Sequence, residues 1–144
     1  MGKRIEENGE FAGWTYWDDE PFEHEAAGPF YYTVDEQGPV AAFRATRKHM
    51  NAGGVIHGGC LMTFADFSLF AIAHADTPPD VYGVTVAFTS EFIAGAPEGA
   101  RIEARGEVIG GGRSISFVRG LVTADGDAVL NFSGTIKRRA KPTG

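Results

Sequence analysis

Apolar residues are nearly continuous in one segment of the chain and more widely spaced in the segments that surround it. Residues 60–75 (CLMTFADFSLFAIAHA) are apolar on almost every side and contain neither Gly nor Pro, which predicts a helix that is buried on most of its faces. The glycine-rich residues 51–59 precede this segment, and the proline-containing residues 76–80 follow it. These flanks limit the predicted helix to about residues 58–75.

Alternating or β-prone segments on both sides of this helix predict strands, which turn-forming residues separate. In residues 81–94 one face is expected to carry Val84, Val86, Phe88 and Phe92. Turns are expected at Asp35–Pro39, Gly110–Gly112 and Asp125–Asp127. The predicted strands are residues 30–34, 40–46, 81–94, 101–108, 114–123 and 128–137.

Strands, one buried helix and then a meander of strands predict an α+β fold, in which an antiparallel sheet curls around the helix. We expect this single domain to span residues 30–138. Residues 1–29 mix acids with aromatics and are expected to form a partly irregular N-terminal arm, and residues 139–144 form a basic tail. A curled sheet leaves a face or an edge to be covered, and dimerisation is a common way to cover it.

Composition limits the class of protein. The 144 residues suffice for one domain, and 43% hydrophobic with 22% charged residues is typical of a globular protein. A net charge of −6 gives no electrostatic basis for binding nucleic acid. The single cysteine, Cys60, excludes an internal disulfide; with no apolar secretory segment and no membrane span expected, we predict a cytoplasmic protein.

Asp66 is the most unusual residue of the predicted helix, because Phe64, Ala65 and Phe67 surround it in the sequence. A buried carboxylate is costly unless it is paired or its pKa rises. One interpretation is a general base or nucleophile in an apolar pocket. The other is a structural residue that lies on a narrow polar stripe with Thr63 or caps a neighbouring loop.

His57, Gly58 and Gly59 stand at the predicted start of the helix. Free N–H groups at a helix N-terminus can bind an oxyanion, although the glycines can equally make a tight turn. His57 and Asp66 are nine positions apart, which on a helix is roughly 900° of rotation and roughly 13.5 Å of rise. The two residues therefore cannot form a dyad within one chain, and a shared site requires two chains.

Other reactive residues carry less information. Cys60 has no activating neighbour in the sequence and is expected to be a small core residue. The other histidines (His24, His49 and His74) lack metal-ligand spacing, so no metal is predicted. Arg113 follows three glycines but no helix begins there, so this turn is not a nucleotide-binding loop; Arg113 is either a solvated turn residue or a phosphate contact.

Residues 51–66 (NAGGVIHGGCLMTFAD) resemble the signature of the hotdog-fold acyl-CoA thioesterases, in particular the PaaI-type branch. The matching residues are Asn51, Gly54, the His57-Gly58-Gly59 triplet and Asp66, all at the family spacing. Residues 83–86, 92–94 and 112–114 match further, so that the resemblance covers about residues 40–137. It implies a long helix wrapped by a curved antiparallel sheet, and active sites at the interface of a homodimer, which can pair into a tetramer.

The resemblance also implies the roles of single residues. Asp66 would activate water or attack the thioester carbonyl, and both alternatives stay open. The Gly58 N–H of the other chain would bind the developing oxyanion, while Asn51 and His57 would order that loop and polarise the substrate. Thr85 would orient the water.

The implied function is hydrolysis of an acyl-CoA or acyl-carrier thioester with an apolar acyl or aryl group. We expect Gly59, Phe67, Phe70 and Arg113 to bind substrate, and no separate cofactor, since coenzyme A is part of the substrate. The alternative is a non-catalytic acyl-CoA-binding module. A hydratase of the same fold is disfavoured, because it would need Asp66 and His57 close together in one chain. A purely structural dimer is also disfavoured, because it gives no reason to bury Asp66. Two departures from the family are the bulky Phe67 after the acid and the long aromatic arm.

Overall fold

The computed structural model describes residues 2–73 and 81–140. Within these ranges it has one long helix, α1 (Gly58–Ala73), a π-helical segment (Pro21–Ala27) and a 3₁₀ turn (Arg47–His49). The strands of the described residues are β1 (Lys3–Ile5), β2 (Thr15–Trp17), β3 (Tyr31–Asp35), β4 (Gly38–Arg44), β5 (Val81–Phe92), β6 (Arg101–Gly111), β7 (Ile115–Ala124) and β8 (Asp127–Ala140).

All the described strands belong to one antiparallel sheet in the order β1-β2-β3-β4-β6-β7-β8-β5. The sheet curves around α1, which packs against every strand from β3 to β8. The predicted α+β architecture, an antiparallel sheet wrapped around one helix, is therefore confirmed. The strand that follows the helix, β5, pairs with β8 on one side only and forms an edge of the sheet.

The core lies between α1 and the concave face of the sheet. Phe64 of α1 packs against Phe30 and Phe43, with ring centroids 5.2 and 4.8 Å away, and all three rings are fully buried. Burial of each ring contributes roughly 2–3 kcal/mol. Gly134 lets the helix approach the sheet, because a Cβ there would lie 2.5 Å from Leu69 Cδ1.

The N-terminal arm is attached to the sheet and to the helix. Thr15 of β2 pairs with Tyr32 of β3, and Trp17 is buried against Phe67 of α1, with ring centroids 5.0 Å apart. Phe22, another aromatic residue of the arm, is not packed in this way, since 67% of it is exposed. The boundaries given above for the arm, the domain and the tail stay predictions.

Strand β5 differs from the simple alternation that the sequence suggested. Thr85 pairs with Ile136 and Ala87 pairs with Thr135, so that Val86 is an extra residue in a bulge. Val84 and Val86 are exposed, whereas Phe88 packs against the core. The prediction that these three side chains share one face is wrong, because the bulge reverses the alternation beyond Thr85.

The predicted hairpins are present, with small shifts in their boundaries. The turn between β6 and β7 begins after Gly111, because Gly110 and Gly111 still pair with Phe117 and Ser116 of β7. Some predicted features lie outside the described residues. They are His74 and Ala75 at the end of the predicted helix, the segment 76–80 that was expected to end it, and residues 141–144 of the tail. No helix of the described part of the chain is long and apolar enough to cross a membrane.

Candidate active site

Asp66 lies in the middle of α1 and is half-buried. The hydroxyl of Thr85, on β5, donates a hydrogen bond of 2.5 Å to its Oδ1. Burial raises the pKa of Asp66 and this hydrogen bond lowers it, and the effect of burial is the larger one. Asp66 is therefore a carboxyl group with increased basicity, and among the described residues Thr85 is its one side-chain donor.

The polar-stripe interpretation of Asp66 stays open, because Thr63, three positions before it on the same side of α1, is half-buried like Asp66 itself. The Thr63 hydroxyl donates to the Gly59 carbonyl oxygen at 2.8 Å, and the Ser68 hydroxyl donates to the Phe64 carbonyl oxygen at 2.7 Å. Both hydroxyls are thus bound to the helix backbone. The side-chain hydrogen bond of Asp66 is instead made with β5, on the side of the sheet edge.

The start of α1 leaves one backbone donor free. The His57 carbonyl oxygen accepts from the N–H groups of Cys60 (2.9 Å) and Leu61 (3.2 Å), and His57 Nδ1 accepts from the Gly59 N–H at 2.9 Å. Within the described residues the Gly58 N–H has no acceptor. Gly58 is thus a helix N-terminal donor that is available to an oxyanion.

The ring of His57 caps the helix. Because Nδ1 accepts from Gly59, a neutral imidazole carries its proton on Nε2, an assignment that follows from the hydrogen-bond geometry. The residue is exposed, so its Nε2–H can donate to a second partner. The ring can cap the helix and polarise a carbonyl at the same time.

Asn51 organises the loop that precedes the helix. Its Oδ1 accepts from the N–H groups of Gly53 (2.9 Å) and Val55 (3.3 Å). The His57 N–H donates to the His49 carbonyl oxygen at 2.8 Å, which ties the end of the loop to the 3₁₀ turn. The described structure therefore brings Asn51 to its own loop and not to Asp66.

Strand β5 lies beside both Asp66 and Gly58. Thr85 contacts Asp66, and the Phe92 ring lies so close to Gly58 that a Cβ on this glycine would be 3.1 Å from Phe92 Cζ. Gly58 and Asp66 are eight positions apart on α1, about 12 Å of rise. One chain therefore keeps the free donor and the carboxyl group apart, and both lie beside the same edge strand.

The residues expected to bind substrate are dispersed. Phe67 is buried in the core, 5.6 Å from Phe30 between ring centroids. Phe70 is half-buried beside Gly83, whereas Gly59 and Arg113 are exposed. Arg113 lies in the β6–β7 turn, and the described structure does not bring it together with the other predicted site residues.

Other reactive groups do not join the site. Cys60 packs against the core, and burial raises the pKa of its thiol to about 11, which disfavours the nucleophilic thiolate. Among the described residues, no three His, Cys, Asp or Glu side chains lie close enough together to hold a metal ion. A cavity of about 420 Å³ lies between residues 8–11 of the arm and Arg44, and its lining includes none of the predicted site residues.

Two acids of the arm lie near Asp66 and were missed by sequence reasoning. Glu20 and Glu23 border the crevice that Phe67 also lines. Burial is the largest cause that raises the pKa of each, and the negative charge of Asp66 raises both further. The only sequence signal was the mixture of acids and aromatics in residues 14–25.

Comparison with known proteins identifies the family. A model of the thioesterase superfamily matches residues 53–130. A Pseudomonas aeruginosa protein provisionally named an esterase is 35% identical over 109 residues, which are 74% of this chain and 81% of that protein.

Solved structures show the same fold. A point mutant of the phenylacetic acid degradation protein PaaI from Thermus thermophilus has a TM-score of 0.69 and 26% identity over 82% of this chain and 98% of that chain. A hypothetical thioesterase protein of Streptococcus pneumoniae, solved with coenzyme A, has a TM-score of 0.70 and 19% identity over 85% of this chain and 95% of that chain. The chain belongs to the thioesterase superfamily, with the hotdog fold and a PaaI-like relationship, and is a thioester hydrolase.

Proposed function

We propose that the protein hydrolyses acyl-CoA thioesters with an apolar acyl or aryl group, at a site that two copies of the chain form together. The observation that carries this proposal is the separation of two complementary groups on α1. The basic carboxyl group of Asp66 and the free N–H of Gly58 are about 12 Å apart along the helix. Attack on a carbonyl carbon and stabilisation of its oxygen require such groups to act on one carbonyl.

The edge strand β5 supports the pairing of two copies. It has twelve residues, its outer edge has no partner strand among the described residues, and Val86 and Phe92 on it are 56% and 55% exposed. A long apolar edge favours association with another strand. Antiparallel pairing of two copies reverses the strand direction, so the Phe92 end of one strand, beside Gly58, meets the Thr85 end of the other, beside Asp66.

The reaction follows from this arrangement. The Gly58 N–H donates to the thioester oxygen, and negative charge develops there when a nucleophile adds to the carbonyl carbon. Asp66 of the other copy either removes a proton from the attacking water, which Thr85 helps to orient, or itself attacks to give an anhydride that water then hydrolyses. In both cases the C–S bond breaks, the sulfur takes a proton, and the products are a carboxylic acid and free coenzyme A.

His57 and Asn51 support the oxyanion donor in this proposal. Asn51 holds the loop through Gly53 and Val55, and His57 leaves its Nε2–H free for the substrate while its Nδ1 engages Gly59. Polarisation by His57 would add to the charge stabilisation that Gly58 provides.

The proposed substrate class is supported by a structural neighbour, by an apolar side chain near β5 and by exposed basic side chains. Coenzyme A in the Streptococcus pneumoniae neighbour indicates that the fold accommodates this ligand. Phe70, beside Gly83 of β5, would contact an apolar acyl group. Exposed basic side chains such as Arg47, Lys48 and Arg113 are candidates for the phosphates of coenzyme A, with Arg138 as a further candidate.

Thiol release from a panel of acyl-CoAs tests the activity. Short, medium and long acyl, phenylacetyl and hydroxybenzoyl esters would be compared on the wild type, on Asp66→Asn and on Asp127→Asn, an exposed aspartate that serves as the matched control. We expect Asp66→Asn to lose about a hundredfold or more of kcat and the control to be unaffected. Wild-type turnover in Asp66→Asn would exclude its assigned role.

Mixing two inactive variants tests the two-chain site. Asp66→Asn and Gly58→Pro each damage both sites of a homodimer, but a mixed dimer contains one site with both wild-type groups. Co-refolding equal amounts should restore about a quarter of the wild-type sites, if the two chains combine at random. No recovery in verified mixed dimers would show that the two groups act within one chain or not at all.

A further inference from the structure

The part of α1 that is not buried forms one stripe around Asp66. Of residues 61–73, all of which the structure describes, nine are buried and four are not. The four are Met62, Thr63, Asp66 and Phe70, and they lie within about 100° of one another around the helix. Met62 stands one turn before the carboxyl group and Phe70 stands one turn after it. A group bound at Asp66 therefore has an apolar side chain on either side of it along the helix.

The Phe70 ring lies against a glycine of the edge strand β5. A Cβ on Gly83 would be 2.9 Å from Phe70 Cε1 and 2.6 Å from Ile136 Cγ2, so the ring occupies space that a side chain at position 83 would need. Ile136 is buried and belongs to β8, the strand that pairs with β5. The ring therefore closes the gap between α1 and the sheet at this point.

This apolar contact is the direct neighbour of the contact that holds Asp66. The Thr85 hydroxyl donates to Asp66 Oδ1 at 2.5 Å, and Gly83 precedes Thr85 by two residues, before the bulge at Val86. Residues two apart on a strand point to the same face, and residues four apart on a helix have Cβ atoms about 5–6 Å apart. The Phe70 ring thus closes the gap within one helical turn of the candidate catalytic carboxyl group.

Phe70 differs from the other phenylalanines of α1. Phe64 and Phe67 are buried and pack on Phe30, with ring centroids 5.2 and 5.6 Å away. Phe70 packs against the core only in part and is half-buried. Part of its ring is therefore left to contact a ligand.

The symmetry of the two-copy site proposed above leaves the Phe70 side of Asp66 for the acyl group. Gly58 and Asp66 are each four positions from Met62. A two-fold axis that brings Gly58 of one copy to Asp66 of the other passes close to Met62, so that Met62 meets its own counterpart. Met62 is 41% exposed in the single chain, and this contact covers it. The space that stays open beside Asp66 is then the one in front of Phe70.

We propose that Phe70 is the end wall of the acyl pocket and makes the enzyme selective for short acyl and aryl groups, an inference that rests on the thioester hydrolysis and the two-copy site proposed above. An acyl group that runs along α1 from a carbonyl at Asp66 meets the ring after about one helical turn, roughly 5.4 Å. The ring cannot retreat towards β5, because it already fills the space over Gly83. A long acyl chain has to displace it.

A ratio of two specificity constants tests this proposal. It is kcat/KM for dodecanoyl-CoA divided by kcat/KM for the fastest ester that has a short acyl or aryl group. It would be measured on the wild type, on Phe70→Ala and on Met62→Ala, which truncates the apolar residue on the other side of Asp66. We expect Phe70→Ala to raise the ratio at least about tenfold and Met62→Ala to leave it close to the wild-type value.

The ratio also guards against variants that fold or associate poorly. Both substrates are compared on one preparation, so the fraction of active protein cancels. Phe70→Leu serves as a second variant, because it keeps an apolar side chain against Gly83 but is shorter than the ring. We expect Phe70→Leu to raise the ratio above the wild-type value and less than Phe70→Ala does.

The outcomes separate this proposal from the function on which it rests. If the wild type releases no thiol from any ester, the proposed function fails. If the wild type is active but prefers dodecanoyl-CoA, or if both Phe70 variants keep its ratio, the role of Phe70 is overturned while the proposed function stands. A larger rise in Met62→Ala than in Phe70→Ala would also overturn it, because the acyl group would then run in the opposite direction along α1.

Discussion

The hydroxyl of Thr85 donates a 2.5 Å hydrogen bond to Asp66 Oδ1 and so connects the edge strand β5 to the middle of α1. Two opposing effects meet at this carboxyl group. Burial favours its neutral form, and the hydroxyl favours the carboxylate. The hydrogen bond thus keeps a carboxyl group ionisable at a position where its basicity is increased.

Replacing Thr85 by Val should weaken catalysis most at low pH. The substitution removes the donor at nearly constant volume, so the pKa of Asp66 rises further and a smaller fraction is ionised. A hydrogen bond to a charged group contributes roughly 1.5–3 kcal/mol, so we expect at least about a tenfold loss of kcat/KM on the acid limb of its pH profile. The acid limb of the kcat/KM profile should move to higher pH.

Thr85→Ser is the matched control for this experiment, because it keeps the hydroxyl and removes only a methyl group. Its acid limb should stay close to that of the wild type. Identical acid limbs in Thr85→Val and the wild type would mean that the hydrogen bond does not govern the ionisation of the catalytic group.

Gly58→Pro should remove turnover and leave the fold intact. Gly58 is the first residue of α1 and its N–H has no acceptor in the described residues. Proline is well tolerated at this position of a helix. Loss of one oxyanion donor costs about 10²–10³ in kcat, which thiol release would measure.

Gly58→Ala retains the N–H and serves as the control. Its Cβ would lie 3.1 Å from Phe92 Cζ, but the Phe92 ring is the end of an exposed side chain and can move. We expect Gly58→Ala to keep most of its activity and Gly58→Pro to show a wild-type circular dichroism spectrum. Activity of the proline variant equal to that of the alanine variant would remove Gly58 from the oxyanion site.

Glu23→Gln should stabilise the protein increasingly as the pH rises. Glu23 has a pKa of about 8 in the folded protein and about 4.3 when unfolded. The unfolded chain therefore releases this proton first, and the stability that the wild type has below pH 4.3 is lost progressively until about pH 8. Because Gln does not titrate, the Tm difference between variant and wild type should grow from pH 5 to pH 9.

The expected size of the stabilisation by Glu23→Gln follows from the difference between the folded and unfolded pKa values of Glu23. Each unit of pKa difference corresponds to about 1.4 kcal/mol, and partial exposure reduces it, so a difference on the order of 2 kcal/mol is expected at pH 9. Thermal unfolding of Glu23→Gln, the wild type and Glu25→Gln, a control at an exposed acid two residues away, would measure it at several pH values. A pH-independent difference would show that Glu23 has an ordinary pKa in the folded protein.

The helix and the strands from β3 to β8 were predictable because hydrophobic periodicity determines which faces can be buried. Strands β1 and β2 of the arm and the order of the strands in the sheet were not predicted. The nearly continuous apolar residues of segment 60–75 and the glycines before them located α1, and the spacing of His57 and Asp66 already separated these residues along the helix. The structure bears out this fold, while the roles of the individual site residues stay predictions.

The contacts that the sequence did not reveal depend on tertiary geometry. The bulge at Val86 is a property of the β5–β8 pairing, so the alternation of β5 was misassigned beyond Thr85. Glu23 approaches Asp66 only because the arm folds back onto α1. His57 caps Gly59 and leaves Gly58 free, a distinction between adjacent glycines that no sequence pattern carries.

Val86→Asp should dissociate the proposed dimer and abolish turnover together. Val86 is the exposed bulge residue of the edge strand β5, and antiparallel pairing of two copies along β5 would bury each introduced carboxylate at a strand edge that carries no Lys or Arg to pair with it. We expect light scattering to give the mass of a monomer and thiol release to fall at least about a hundredfold, since Gly58 and Asp66 of different copies no longer meet. Val34→Asp is the control, because Val34 lies exposed on β3, far from β5 in the strand order, and it should keep both the mass and the activity of the wild type. A monomeric Val86→Asp with full activity would place the entire active site within one chain.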